Sequence, residues 1–350
     1  MKKLLLIYCL VFYLSPVWAQ KINADSLVNV AISRNRNVRN VPSLSLDSLI
    51  KTFFATSDPS VRAKVLGDIA IGDGAVSAKN ILYAANKLLA VAKQKKDPAG
   101  EAAATAILGY AIYNSGDEAR GLKVLFKGLK LAENARDEQA IGFIYNFLGV
   151  CTNKHIASKP YFLKALQFSR AGGDSLSVAF ELGNLYYAYS AEKKTDSALY
   201  YVSRSFKLAV ERNYEVAIQF DLLNLGSIQP DPKIKLKYFR TALSLSLTKN
   251  NPELIERAAV AVASWYRESK QIDSALYYAR KAFNASKSLL IGRKLAPAGI
   301  LAALYKGRNA DSALKYTGIS YALRDSMYNL DKIERAHAIS LAEQQKQEEI

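Results

Sequence analysis

The 350-residue chain is half apolar and holds only nine prolines, which excludes wholesale disorder and favours helix over strand. Its formal net charge of +17 fits either an anionic partner or cations spread over solvated helix faces; the densest runs, 93–96 and 233–237, fall near helix ends, and cations near helix C-termini suit the dipole. Of two cysteines, Cys9 lies in a leader, so the mature chain has no internal disulfide.

Residues 1–19 have the three parts of a secretory signal: Lys2 and Lys3, an apolar run over 4–14, and the small-residue site Val17-Trp18-Ala19. The run is shorter than the roughly 20 residues a spanning helix needs. Cys9 has no small-residue pair before it, which argues against a lipid anchor. The expectation is an exported chain, periplasmic or extracytoplasmic, cleaved after Ala19. Residues 20–58 read as an entry segment, with a short helix at 46–54 ending at Asp58-Pro59.

The solenoid is expected over 59–323. It opens on a helical pair of poor regularity, 61–70 and 77–95, around Gly72-Asp73-Gly74. No Lys-Ser/Thr follows those glycines and no strand precedes them, so they mark a turn rather than a phosphate loop. A clear unit comes next: a helix ending at Asn114, the turn Ser115-Gly116-Asp117, and a second helix with Gly121, Leu125 and Gly128. Further on the chain spells Asp196-Ser197-Ala198-Leu199-Tyr200-Tyr201, repeats it as Asp273-Ser274-Ala275-Leu276-Tyr277-Tyr278, and nearly repeats it from Asp311 to Tyr316. The first two copies stand 77 residues apart and the last two 38, so a copy is hidden between the first pair. A small residue late in each second helix recurs at Gly128, Ala165, Ser205, Ala242, Ala282 and Ser320, in steps of 37 to 40. Such a period marks stacked helical repeats, about six to seven here with the first degenerate.

Leu148-Gly149 and Leu225-Gly226 repeat the Leu108-Gly109 signature. For the unit between them, Leu182-Gly183 and Leu185-Tyr186 are both open as its counterpart. Two units are shorter by three residues and carry Pro160, or Pro230 and Pro232, which predicts irregular turns between their helices. Ala198, Ala242 and Ala275 are expected at tight helix contacts, and the paired tyrosines where repeats pack. From 324 to 350 runs a helix-forming tail whose end is polar all round, so it must bridge, pair or fray.

Leu108-Gly109, Ile112, Gly121, Leu125 and Gly128 fall where the tetratricopeptide repeat family places Leu-Gly, an aromatic, Ala, an aromatic and Ala. The resemblance implies an all-α superhelical solenoid of antiparallel helix pairs, closed by a long C-terminal helix. It also implies a groove lined by first helices, with Tyr110, Phe143, Phe180, Tyr187 and Phe220 as candidate peptide anchors. Packing of these rings against the next repeat is the competing reading. The whole layout of leader, long-period repeats and charged tail resembles the extracytoplasmic half of sensor histidine kinases of Bacteroidota type. That implies a membrane span and a kinase beyond residue 350.

No catalytic, cofactor or metal constellation is legible. Cys151 and His155 form half of a zinc pattern with no second half. The glycan acceptor pattern Asn284-Ala285-Ser286 falls inside a predicted helix. The functional expectation is therefore a non-catalytic interaction or sensing module that binds a protein or peptide, with membrane attachment after residue 350 and self-association through the tail both left open. A free-standing exported scaffold is the alternative. A basic nucleic-acid binder is weaker, because the leader speaks against it.

Overall fold

The computed structural model describes residues 29–30, 45–70, 78–114, 117–152, 155–289 and 291–326. Residues 1–19, most of the entry segment and the tail beyond 326 lie outside them, and with them the expectations of a secretory signal and of a bridging or pairing tail. Among the described residues every regular element is helical, and no helix is long and apolar enough to cross a membrane.

Three helices come first: α1 (Leu46–Ala55), α2 (Pro59–Ala70) and α3 (Ala78–Lys95). Six pairs follow. They are α4 (Pro98–Asn114) with α5 (Glu118–Ala135), α6 (Glu138–Val150) with α7 (His155–Ala171), and α8 (Ser175–Ala191) with α9 (Thr195–Arg212). Then come α10 (Glu215–Ile228) with α11 (Pro232–Thr248), α12 (Pro252–Glu268) with α13 (Ile272–Ala285), and α14 (Ile291–Tyr305) with α15 (310–326). The copy hidden between the two spelled motifs is α11.

The turn from one unit to the next is built by two residues. The first adopts the left-handed conformation, at Lys96, Arg136, Gly173, Asn213 and Asn250. The second is an Asp or Asn that caps the next helix: Asp97 accepts from the amide of Gly100, Asp137 from Ala140, Asp174 from Ser177 and Asn251 from Leu254, at 2.8 to 3.1 Å. Each cap satisfies one of the orphan amides of a first turn, and each left-handed residue ends the helix before it. Two turns depart: α10 opens on Tyr214 without a side-chain cap, and α14 is reached through a short 3-10 turn over Ser286–Ser288.

Within a unit, the Leu-Gly glycine receives a large residue of the second helix. A Cβ on Gly109 would stand 2.9 Å from Leu125, one on Gly149 2.5 Å from the Phe162 ring, and one on Gly226 2.6 Å from the Phe239 ring. The two shortened units thus keep the same contact and fill it with phenylalanine. Ala198, Ala242 and Ala275 are fully buried, as the spacing requires. The last tyrosine of each spelled motif stacks on a first-helix tyrosine: Tyr201 on Tyr189, Tyr278 on Tyr266 and Tyr316 on Tyr305, with centroids 4.9 to 5.7 Å apart and planes within 14°.

Three expectations are corrected. Tyr200 and Tyr277 do not pack between repeats; they are exposed, each lying under a cation one turn on, Arg204 or Lys281. Pro160 lies inside α7 rather than in a turn, and Pro232 is the first residue of α11, behind the capping carboxyl of Asp231. Lastly, α2 and α3 are both helices but do not form a repeat pair: α3 packs along α4, while α2 leans on α1 and then on α4 and α8.

Successive first helices touch one another from α4 through α14, whereas no successive second helices pack to a comparable extent. The stack therefore curves with the first helices inside. That inner layer is the surface on which the candidate anchors lie.

Candidate groove on the inner helices

Phe143, Phe180 and Phe220 occupy one register position of α6, α8 and α10, spaced 37 and 40 residues apart. They share a register but not an environment. Phe143 is buried; it meets Phe147 edge-on at 4.5 Å, and Tyr110 stacks on that same Phe147 at 4.5 Å. These two expected anchors thus belong to the packing between α4 and α6, so the competing reading holds for them. Phe180 and Tyr187 are half-buried against the core of the later repeats, and Phe220 is half-buried on α10. Phe220 carries the guanidinium of Arg257 above its ring at 5.0 Å.

One turn beyond each phenylalanine stands an asparagine, at Asn146, Asn184 and Asn224, which the sequence reading missed although the same period of about 38 exposes it. Asn184 donates from Nδ2 to Asn146 Oδ1 at 3.1 Å, linking two first helices. Asn224 is buried beside the Tyr187 phenol, yet its Nδ2 finds no acceptor in good geometry. Burial raises the Tyr187 phenol, against the pull of Arg257; the ring stays neutral.

The far end of this stretch is ionic. Arg257 donates from Nε and Nη2 to Glu253 Oε1 at 3.1 and 2.9 Å. Arg293, at the start of α14, also pairs with Glu253, and its Nη1 lies 3.7 Å from Glu256. Burial pushes the Glu253 carboxyl up, but the two guanidiniums outweigh it and hold the group below the usual carboxylate range. Burial wins at Glu256, which is raised. Two arginines thus meet two glutamates, of which Glu253 is the more firmly ionised, beside the aromatic floor of Phe220 and Tyr187.

Behind the inner layer, two buried carboxyls join first helices to second. Ser169 donates to Glu181 Oε1 at 2.8 Å, and Ser205 to Asp221 Oδ2 at 2.6 Å. No cation pairs with either at salt-bridge distance among the described residues, and burial drives both well above the carboxylate range. Both carboxyls therefore favour the protonated, hydrogen-bonding form.

Cys151 is buried, its thiol pushed up to about 12 by burial and by Glu118. It is a packed sulfur rather than a reactive one. The side chain of His155 lies outside the described residues. The lysine-rich runs sit at opposite helix ends: Lys93 and Lys95 fall in the last turn of α3, where cations suit the dipole, and Lys233 in the first turn of α11, where they do not.

No family model and no curated protein matches the chain. Solved structures do match in fold. RapI in its apo form is 15% identical, with a TM-score of 0.50 over 77% of this chain and 93% of its own. A signal-transduction ATPase with numerous domains, carrying a tetratricopeptide repeat sensor, from Pyrococcus horikoshii, is 16% identical with a TM-score of 0.52. The match covers 82% of this chain but only 46% of that protein. BtubC from P. vanneervenii reaches a TM-score of 0.48 at 16% identity, over 60% of this chain and 91% of its own. The likeness is one of fold. This chain is an all-helical repeat protein built of packed helix pairs, like the tetratricopeptide type.

Proposed function

We propose that this chain is a non-catalytic interaction module that takes a protein or peptide segment on its inner helices. The observation that carries the reading is the stretch from α8 to α14. Half-buried aromatic rings, the unpartnered amide of Asn224 and two arginines converge there on the concave side. Rings supply contact area at small entropic cost, an orphaned amide seeks a backbone carbonyl, and the arginines favour an acidic or carboxylate-bearing segment.

The leader-like residues 1–19 support export, and the layout supports a place in the sensing half of a signal-transduction protein. The tetratricopeptide repeat sensor of the Pyrococcus protein is a precedent for such a use of the fold.

The test is to select peptides from a random library on the chain and measure their affinity for variants. Phe220→Ala and Arg257→Ala should each weaken binding at least about tenfold, worth about 1.4 kcal/mol, with helicity unchanged. Tyr277→Ala, on the outer face, should leave it as it was. Affinity unaltered in both inner variants would contradict the reading.

A further inference from the structure

Helix α2 lies against the same layer that the later repeats leave open. Its first turn sits over the starts of α6 and α8: Gln139 donates to the carbonyl of Pro59, the Ser175 amide donates to Ser60 Oγ at 3.2 Å, and the two serine hydroxyls lie 3.0 Å apart. The Ser175 hydroxyl in turn bonds the Tyr214 phenol at 2.5 Å. Two residues on, Arg62 lies across the Phe53 ring at 4.4 Å and 3.7 Å from Asp97. Ala63 and Leu66 then face Ala103 of α4 and Ala140 and Phe143 of α6, around a void of about 10 Å³.

Phe143 is the register equivalent of Phe180 and Phe220. It is covered by α2, while its equivalents are half-exposed. Resting on the reading of the inner layer as a binding surface, we propose that α1 and α2 are a resident occupant of its first half, and that the partner taken there is a helix of the same pattern. That pattern is a hydroxyl at the helix start, a cation two residues on, a small apolar residue at the third and a large one at the sixth.

The seat is imperfect in ways that suit exchange. The Arg62 Nε is buried without an acceptor. Burial raises the Asp174 carboxyl at the start of α8, beneath the same void. And α2 has forgone packing along α3, the neighbour that a repeat pair would have given it. A competing helix that satisfies these groups better gains what α2 leaves unmade.

The test uses the full chain and a fluorescent peptide of residues 45–70 added in trans. Leu66→Asp with Ile69→Asp should loosen the resident helix and bind the peptide at least tenfold more tightly than the unaltered chain. In a Cys9→Ser background, Ser60→Cys with Ser175→Cys, oxidised, should bind none, and reduction should restore the unaltered level; buried Cys151 stays out of the exchange. Equal binding by all forms would overturn the proposal. So would loss of cooperative unfolding in the aspartate variant, which would make α2 an integral cap. A peptide selected for the α8–α14 stretch should bind every form alike, so its failure would strike the earlier reading and not this one.

Discussion

At the scale of single residues, Glu181 and Asp221 set a testable pH dependence. Both carboxyls are buried with one serine donor each, and burial raises both well above their ordinary values. Between the ordinary carboxylate pKa near 4 and the raised folded value, the folded chain holds more protons than the unfolded one. Their contribution to stability is therefore full at acid pH and is lost as pH rises through the folded value. Glu253 works in the opposite sense, since its arginines hold it down and its contribution is lost as pH falls. Glu181→Gln with Asp221→Asn removes the first effect and keeps the shape. Urea denaturation at pH 8 should show the double variant more stable than the unaltered chain by about 1–3 kcal/mol, because each tenfold change in proton affinity is worth about 1.4 kcal/mol. The difference should shrink toward pH 5. An identical pH slope in both proteins would mean that these carboxyls ionise in the fold.

At the scale of helix pairs, the crossing of α4 and α5 separates two glycines that look alike in sequence. A Cβ at Gly121 would lie 2.6 Å from the Tyr113 backbone nitrogen, so the helices must part. Gly121→Ala should cost about 1–3 kcal/mol, as overpacking does. At Gly128 the nearest atoms are 3.4 Å away, an ordinary contact. Gly128→Ala should instead leave stability unchanged or raise it by about 0.5–1 kcal/mol, the helix-interior penalty of glycine. Equal shifts in the denaturation midpoint would show that the crossing is misplaced. Sequence pattern led this far because burial repeats: Gly109, Gly149 and Gly226 recur with the period, and so do Val202 and Ala279 on the matching second-helix face. It misjudged Tyr200 and Tyr277 because adjacent residues on a helix point about 100° apart. Only the second tyrosine of each pair reaches the stack. It also missed the turn chemistry, in which Lys96, Arg136 and Asn250 take a left-handed conformation that glycine takes at Gly173. Composition marks such a position only when the residue there is glycine or asparagine.

At the scale of the molecule, the curvature follows from which helices touch: the first helices line the inside, the face proposed to bind. The sequence placed all five rings on first helices, but not their surroundings. Phe180, Tyr187 and Phe220 lie half-buried on inner helices, whereas Tyr110 and Phe143 pack between α4 and α6. The covering helix could not be foreseen from periodicity, because α2 joins the fold by crossing the starts of α6 and α8 rather than by pairing with its neighbour in sequence. Nor could the ionic end of the groove, where Glu253, Arg257 and Arg293 meet across 40 residues of chain. The most direct measurement is hydrogen exchange with a library-selected peptide bound. Amides of α8, α10 and α12, above all around Tyr187, Phe220 to Asn224 and Arg257, should slow on binding, while α9, α11 and α13 keep their rates. Slowing confined to the outer helices would contradict the account.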